Sequence, residues 1–421
     1  MINRFSMMVR YVNGVLHLED VDLSLLARKF GTPLYVYTEN GIKERIRSLK
    51  KAFGSSLYLL AYAMKANSNL GILKIIKNEK CGAEVVSGGE LYRAILAGIN
   101  PKKIVFTGVG KTAEEIELAI KKGIFSIVCE SDGELRVIEE VSKKLKKRAR
   151  VMLRVNPDVS PNTHPYIATG LRNSKFGIPQ ERAYSLYKLM AESRFVEPIG
   201  IHFHIGSQIT SPDPFYEASQ KIRSLWMKLR DEGIKLKFID AGGGIGIQYK
   251  DGESGLSPEA YASAIREGLK GVDAKIIIEP GRFIVGNNGI LIGKVLYVKD
   301  NGAKRFLVTD IGMNDLIRPS LYNSYHRILP VIEKKGGSVN KYYDVVGPVC
   351  ESGDFIARDR ELPEINSGEF IAVLDAGAYG FSMASNYNSR PRPAEVIVKG
   401  KDYKILRKRE NYRSLVKGEV F

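Results

Sequence analysis

From residue 57 to about residue 280, short apolar runs alternate with longer segments whose apolar positions recur every three to four residues. The runs are Leu57–Ala63, Ala83–Val86, Ile104–Thr107, Ser126–Cys129, Val151–Val155, Ile199–Ile205, Leu236–Ile239 and Lys275–Ile278. Thr112–Lys122 and Asp132–Lys147 typify the charged, helix-patterned stretches between them. Strands alternating with helices predict parallel pairing through helical crossovers. Eight such units predict a closed α/β structure, a (β/α)8 TIM-like barrel. An open doubly wound sheet would carry a glycine-rich turn after its first strand. The turn after Leu57–Ala63 reads Met64-Lys65-Ala66-Asn67, with no glycine.

After residue 285 the texture changes. Ile290–Val298, Arg305–Thr309, Tyr342–Val346, Phe370–Asp375, Glu395–Val398 and Tyr403–Leu406 are strand-like, and Gly and Pro punctuate the gaps. A second, mostly β C-terminal domain follows. Tyr11-Val12-Asn13-Gly14-Val15-Leu16 carries the Asn-Gly hairpin signal. The expected division is a barrel over residues 32–282 and a discontinuous β-rich domain from residues 1–31 and 283–421, which completes the active site and the dimer.

Composition narrows the class. The chain has 421 residues, 44% of them hydrophobic, and no apolar run approaches the ~18 residues of a membrane span. Met1-Ile2-Asn3-Arg4-Phe5-Ser6 lacks the basic start, apolar block and cleavage site of a signal peptide. A cytoplasmic protein with no membrane partner is expected. The 64 basic and 47 acidic residues leave a net charge of +17. Lys143-Lys144 and Lys146-Lys147-Arg148 fit solvent-facing helix surface, and no zinc-finger spacing or aromatic RNA-binding run accompanies the charge, so no nucleic-acid partner is expected. Cys81, Cys129 and Cys350 are odd in number and far apart, which argues against a disulfide framework.

In a barrel of this kind the C-terminal strand ends carry the chemistry. The first ends at Lys65, which strand alternation places on the side of Ala61 and Ala63. Partial desolvation there would make the amine nucleophilic, although a snorkelling rim lysine fits the same pattern. The sixth ends His202-Phe203-His204-Ile205-Gly206-Ser207. With no third ligand of clear type nearby, a metal site is not expected; a flat imidazole against a flat ligand, followed by an anion-binding hydroxyl, fits better. The seventh ends Asp240-Ala241-Gly242-Gly243-Gly244, whose backbone N–H groups can approach a phosphate. The eighth ends Glu279-Pro280-Gly281-Arg282 after three isoleucines, so the acid needs a partner: Arg282 in a salt bridge, or a protonated ring nitrogen. An amine, a phosphate cradle, a stacking ring and a carboxylate together describe a pyridoxal 5′-phosphate site.

Six stretches in this order carry a resemblance over nearly the whole chain: residues 62–67, 85–91, 202–208, 240–244, 279–282 and Cys350-Glu351-Ser352-Gly353-Asp354. The sequence resembles the fold-type III, alanine-racemase-like pyridoxal phosphate enzymes, and within them the decarboxylases. The resemblance implies that Lys65 holds the cofactor and His204 stacks on it. Ser207, Gly243, Gly244, Glu279, Pro280, Gly281, Arg282 and Tyr379 would bind it, with Glu279 at the ring nitrogen. Catalysis would fall to Lys65, His204 and the proton donor Cys350, and substrate to Arg282, Arg318, Tyr322, Glu351 and Tyr379. It further implies a homodimer with shared active sites. The implied reaction is decarboxylation of meso-2,6-diaminopimelate to L-lysine and CO2, the final step of lysine biosynthesis. Ornithine, arginine or carboxynorspermidine is the alternative substrate. Racemases of this class place an arginine at the ring nitrogen, so Glu279 argues for decarboxylation. Glu84 stands where the pattern expects an aspartate; it keeps the charge and lengthens the reach.

Overall fold

The computed structural model describes residues 8–160, 175–334 and 340–420, so the N-terminal Met1–Ser6 reading lies outside the described residues. The chain divides into two compact units. One comprises Arg45–Ile247 and Ser254–Phe283, the other Met1–Glu44, Gln248–Glu253 and Ile284–Phe421.

The first unit is a closed parallel barrel. Its strands are Leu57–Ala63, Gly82–Val85, Ile104–Phe106, Ser126–Cys129, Ala149–Asn156, Val196–His202, Phe238–Asp240 and Lys275–Ile278. Each pairs in parallel with the next, and the eighth returns to the first through Ile276↔Leu57. Leu59, Ala61, Val105, Val128, Met152, Ile199 and Ile277 are among the apolar residues that fill the interior. At the N-terminal end the rings of Tyr58, Phe125 and Phe238 pack together, with Phe125 and Phe238 edge-to-face at 5.1 Å. That aromatic floor closes one end to water, and the polar chemistry is left to the other.

Capped helices join the strands. Thr112 starts Ala113–Lys122 with a capping box, its hydroxyl accepting from Glu115 N–H at 3.2 Å while the Glu115 carboxylate accepts from Thr112 N–H at 3.0 Å. Ser87 caps Gly88–Leu96, and the Glu90 carboxylate reaches back to Val86 N–H at 2.9 Å. One of the stretches behind the family resemblance is therefore a helix start.

The second unit is built on a mostly antiparallel sheet ordered 355–362, 341–346, 305–309, 289–300, 34–38, 394–399 and 402–407. The strand Gly289–Asp300 is its spine: its first half pairs with both Leu34–Thr38 and Phe370–Val373, its second with Arg305–Thr309. The division by compactness falls at 44/45 and 283/284 rather than 31/32 and 282/283, because Leu34–Thr38 is a fully buried strand of this sheet. Val9–Val12 and Val15–Leu18 form the expected hairpin, with both turn residues left-handed (Asn13 φ 51°, Gly14 φ 78°).

Candidate active site

Lys65 follows the first barrel strand. It does not continue that strand, as alternation supposed, but sits in the single 3-10 turn Met64–Ala66. Its direction is set by an ion pair: Lys65 Nζ donates to both Glu84 oxygens at 2.9 Å. Glu84, at the second strand, is fully buried and also accepts from the hydroxyl of Thr107, just past the third. The longer acid is thus the clamp that aims the lysine, a role the sequence pattern did not reveal. Glu90 lies close by; burial, reinforced by Glu84, pushes its carboxyl up to about 7.

His202 ends the sixth strand and His204 lies beyond it, so the two do not share a strand face. His204 Nδ1 accepts from Gly243 N–H at 3.2 Å. A nitrogen that accepts carries no proton, so a neutral ring bears its hydrogen on Nε2. Burial, then Arg154, Lys65 and His202, hold its pKa well below the ordinary value, so His204 is a neutral, flat donor. His202 instead meets Glu279: Nε2 to Oε2 is 3.1 Å. Of the two partners considered for Glu279, the salt bridge to Arg282 is not formed: Arg282 donates instead to Ser207 Oγ at 3.0 and 3.3 Å. Asp240 and Glu279 also stand beside His202; one ligand-type atom from each of the three lies within 4.8 Å of the others, contrary to the expectation of no third ligand nearby.

The turn Gly242–Gly244 approaches neighbouring backbone too closely for side chains. A Cβ on Gly243 would stand 2.2 Å from Glu279 O, and one on Gly244 2.5 Å from Gly206 O. Gly242 (φ 63°) and Gly244 (φ 108°) are left-handed as well. Gly281 is similarly confined, its Cβ position 3.0 Å from that of Ala63. The loops after strands one, six, seven and eight are thereby locked together, bringing Lys65, His204, Ser207, Gly243, Gly244, Glu279, Pro280, Gly281 and Arg282 to one end of the barrel.

Sequence reasoning missed Arg154 in the fifth strand. It is buried, donates to Glu130 at 3.1 and 3.3 Å, and lies over the Phe176 ring at 4.6 Å. Glu130 also accepts from Gly108 N–H at 3.1 Å and Gly177 N–H at 3.2 Å. The arginine lies inside the run Val151–Val155, which reads as apolar, yet its charge helps keep His204 neutral.

In the β-rich unit, Arg318 opens the short helix Arg318–Tyr322. It is buried, lies over Tyr249 at 4.8 Å, and donates to His326 Nε2 at 3.0 Å and Ser324 Oγ at 3.2 Å. Tyr322 and Tyr379 are half-buried, the latter left-handed at φ 56°, a conformation rare for a bulky residue and often found at functional positions. The Cys350–Asp354 loop is braced by the Asp354 carboxylate, which accepts from Met313 and Val349 N–H at 2.6 Å each. Cys350 is exposed, not a buried filler, and its N–H donates to Asn388 at 2.8 Å. Glu351, named among the substrate residues, accepts from Tyr387 OH at 3.1 Å.

Residues 39–286 match the family model for the pyridoxal-dependent decarboxylase, pyridoxal binding domain. The chain belongs to this family. The Aquifex aeolicus diaminopimelate decarboxylase is 49% identical over 416 residues, covering 99% of this chain and 98% of that relative. Among solved structures, the Helicobacter pylori diaminopimelate decarboxylase complexed with L-lysine aligns at 44% identity and TM-score 0.90, over 94% of this chain and 98% of that one. The M. jannaschii diaminopimelate decarboxylase, also in complex with L-lysine, aligns at 39% identity and TM-score 0.94, over 99% and 98%.

The residues of this pyridoxal-dependent decarboxylase fit the cofactor. Glu279 Oε1 is buried with no hydrogen-bond partner, as a carboxylate waiting for a ring N–H would be. In the glycine turn the Gly242 and Gly243 N–H groups are taken by Asp240 and His204, which leaves the Gly244 N–H, beside Ser207 and Arg282, to suit a phosphate.

Proposed function

We propose that this protein catalyses the decarboxylation of meso-2,6-diaminopimelate to L-lysine and carbon dioxide, using pyridoxal 5′-phosphate, as the last step of lysine biosynthesis. The observation that carries the reading is the half-buried Lys65 amine, aimed by Glu84, in the same barrel end as the buried, partnerless oxygen of Glu279. Near-full-length likeness to decarboxylases of that diacid selects the substrate.

When bound, the cofactor supplies an electron sink for the pair left behind by the departing carboxyl group. Lys65 holds it, and Glu84 keeps the amine in one place before it is loaded. Ser207, paired to Arg282, and the N–H of Gly244 take the phosphate, while Gly243, its own N–H held by His204 Nδ1, lets the backbone come close. The His204 ring, neutral and fixed through Nδ1, offers a flat face without adding a positive charge. Glu279 stays ionised: burial raises its pKa, but His202, Lys65 and Asp240 together outweigh that and hold it below the ordinary carboxylate value. A carboxylate there keeps a ring nitrogen protonated, whereas a cation would repel that proton. Pro280 and Gly281 hold the Glu279–Arg282 turn.

For substrate, the Arg318 fork suits the distal carboxylate, with Tyr322, Tyr379 and Arg282 adding bonds and Glu351 facing the distal ammonium. Ornithine lacks that second carboxylate. Cys350, exposed on a braced loop, returns a proton to carbon. In this reading the protein is a cytoplasmic homodimer whose sites take residues from both subunits, and it binds no nucleic acid. Among the described residues no helix is long and apolar enough to cross a membrane.

Borohydride reduction of the holoenzyme followed by peptide mapping tests the site: the pyridoxyl adduct is expected on Lys65. An adduct on another lysine, or CO2 release from ornithine at the rate seen with meso-diaminopimelate, would overturn the reading.

A further inference from the structure

Between the seventh and eighth strand ends, two carboxyl groups are buried side by side. Asp240 has 0% exposure and Glu279 5%. Asp240 Oδ1 accepts from Gly242 N–H at 3.0 Å, and Glu279 Oε2 meets His202 Nε2 at 3.1 Å. The second oxygens, Asp240 Oδ2 and Glu279 Oε1, are both buried and lack any other hydrogen-bond donor among the described residues. Two bare carboxylates cannot share a dry site, since each raises the cost of ionising the other. A proton on Asp240 Oδ2 would occupy one lone pair of Glu279 Oε1 and leave the other for a ring N–H.

The surroundings decide which acid carries it. Glu279 faces His202 and Lys65, which favour its charge. Asp240 faces Glu279 and Glu84, with Tyr261 of the helix Pro258–Gly268 nearby, and the favourable contact it makes among the described residues is the Gly242 N–H. We propose that Asp240 is a positioning residue that carries the proton of this carboxyl pair and donates it to Glu279, so that Glu279 remains the ionised partner for the cofactor ring. The inference rests on the reading of Glu279 given above. It assigns to the seventh strand a part in tuning the sink, distinct from the phosphate cradle three residues on.

The test compares D240N, D240A and E279Q in the full chain. The asparagine keeps an acceptor for Gly242 N–H and a donor toward Glu279, whereas alanine removes both. Burial and the neighbouring acids raise the Asp240 pKa in the fold, so its contribution is fully present in acid and lost as pH rises through the folded value. In cofactor-free protein, the stability of D240N relative to wild type is therefore expected to increase steadily from pH 5 to pH 8 on that order. In holoenzyme, D240N is expected to hold kcat within about tenfold of wild type, while D240A falls further and the acid limb of its pH profile moves upward with KM little changed. A D240N stability difference that is flat with pH, or a D240A profile superimposable on wild type, overturns the proposal. Failure of the underlying reading looks different: E279Q would then leave turnover and the visible absorption of bound cofactor unaltered, while the pH-dependent D240N difference persisted.

Discussion

Gly243 shows how little room the site leaves at the level of a single atom. The obstacle to a Cβ is the backbone oxygen of Glu279, at 2.2 Å, and a backbone oxygen cannot rotate away as a side chain would. Gly243→Ala is expected to cost about 1–3 kcal/mol of stability, as overpacking does elsewhere. It should also weaken cofactor binding, because the displaced strand end carries Glu279. Thermal unfolding with and without pyridoxal phosphate measures both; an unchanged midpoint with unchanged affinity would contradict the close approach. Glu90 offers a second residue-scale test. Its carboxyl titrates near about 7, raised chiefly by burial, so its contribution to stability is full below the ordinary carboxyl range and lost as pH climbs through 7. Glu90→Gln should gain on wild type between pH 5 and pH 8 in denaturant titrations on that order. Parallel curves would show that Glu90 is not buried beside Glu84. The sequence displayed both residues, yet only as motif letters: Gly243 read as a possible cradle and Glu90 as part of a resemblance.

At the level of elements, the barrel strands were legible because each is a short apolar run between charged helices, and Leu57–Ala63, Ser126–Cys129 and Lys275–Ile278 fall where the pattern places them. Several strands of the other unit were not, among them Leu34–Thr38, Phe355–Leu362 and Ile328–Pro330. Leu34–Thr38 is wholly buried, so it shows no alternation, and it precedes the helical segment by no visible break. Phe355–Leu362 is an edge strand rich in Arg, Asp and Glu, which reads as loop. The three-residue Ile328–Pro330 is too short to carry a period. The site divides similarly. Lys65 and Glu279 stand at strand ends and announce themselves, whereas Glu84, Asp240 and Arg154 act through partners on other strands that spacing along one chain cannot reveal. Arg154→Met tests this cross-strand wiring. Among the described residues it leaves Glu130 buried with the N–H groups of Gly108 and Gly177 as partners, and loss of one member of a buried ion pair costs about 3–5 kcal/mol. Adding Glu130→Gln should recover much of that loss; a double variant as unstable as the sum of the singles would deny the pairing. At the helix starts the effect is smaller: Thr112→Ala should cost about 1 kcal/mol.

For the whole molecule, the sharpest consequence follows from the proposal that sites are shared across a homodimer. A two-fold interface is reciprocal, so whatever one subunit lends, it receives. If Cys350 serves its partner's barrel, then Lys65→Ala and Cys350→Ala disable opposite contributions to each site. Each pure variant should be inactive or nearly so. When the two are unfolded, mixed in equal amounts and refolded, half of the dimers are hybrids. In each hybrid one site receives both defects and the other receives neither. About a quarter of all sites should then be intact, and turnover should rise toward about a quarter of wild type. Sedimentation of the mixture should show one dimeric species throughout. If Lys65 and Cys350 instead serve the same subunit's site, every hybrid site carries one defect and mixing restores nothing. A monomer with wild-type turnover would remove the shared site altogether. The net charge of +17 bears on this assembly as well: like-charged subunits associate only if the interface outweighs their repulsion, so dimerisation is expected to tighten as salt screens that repulsion.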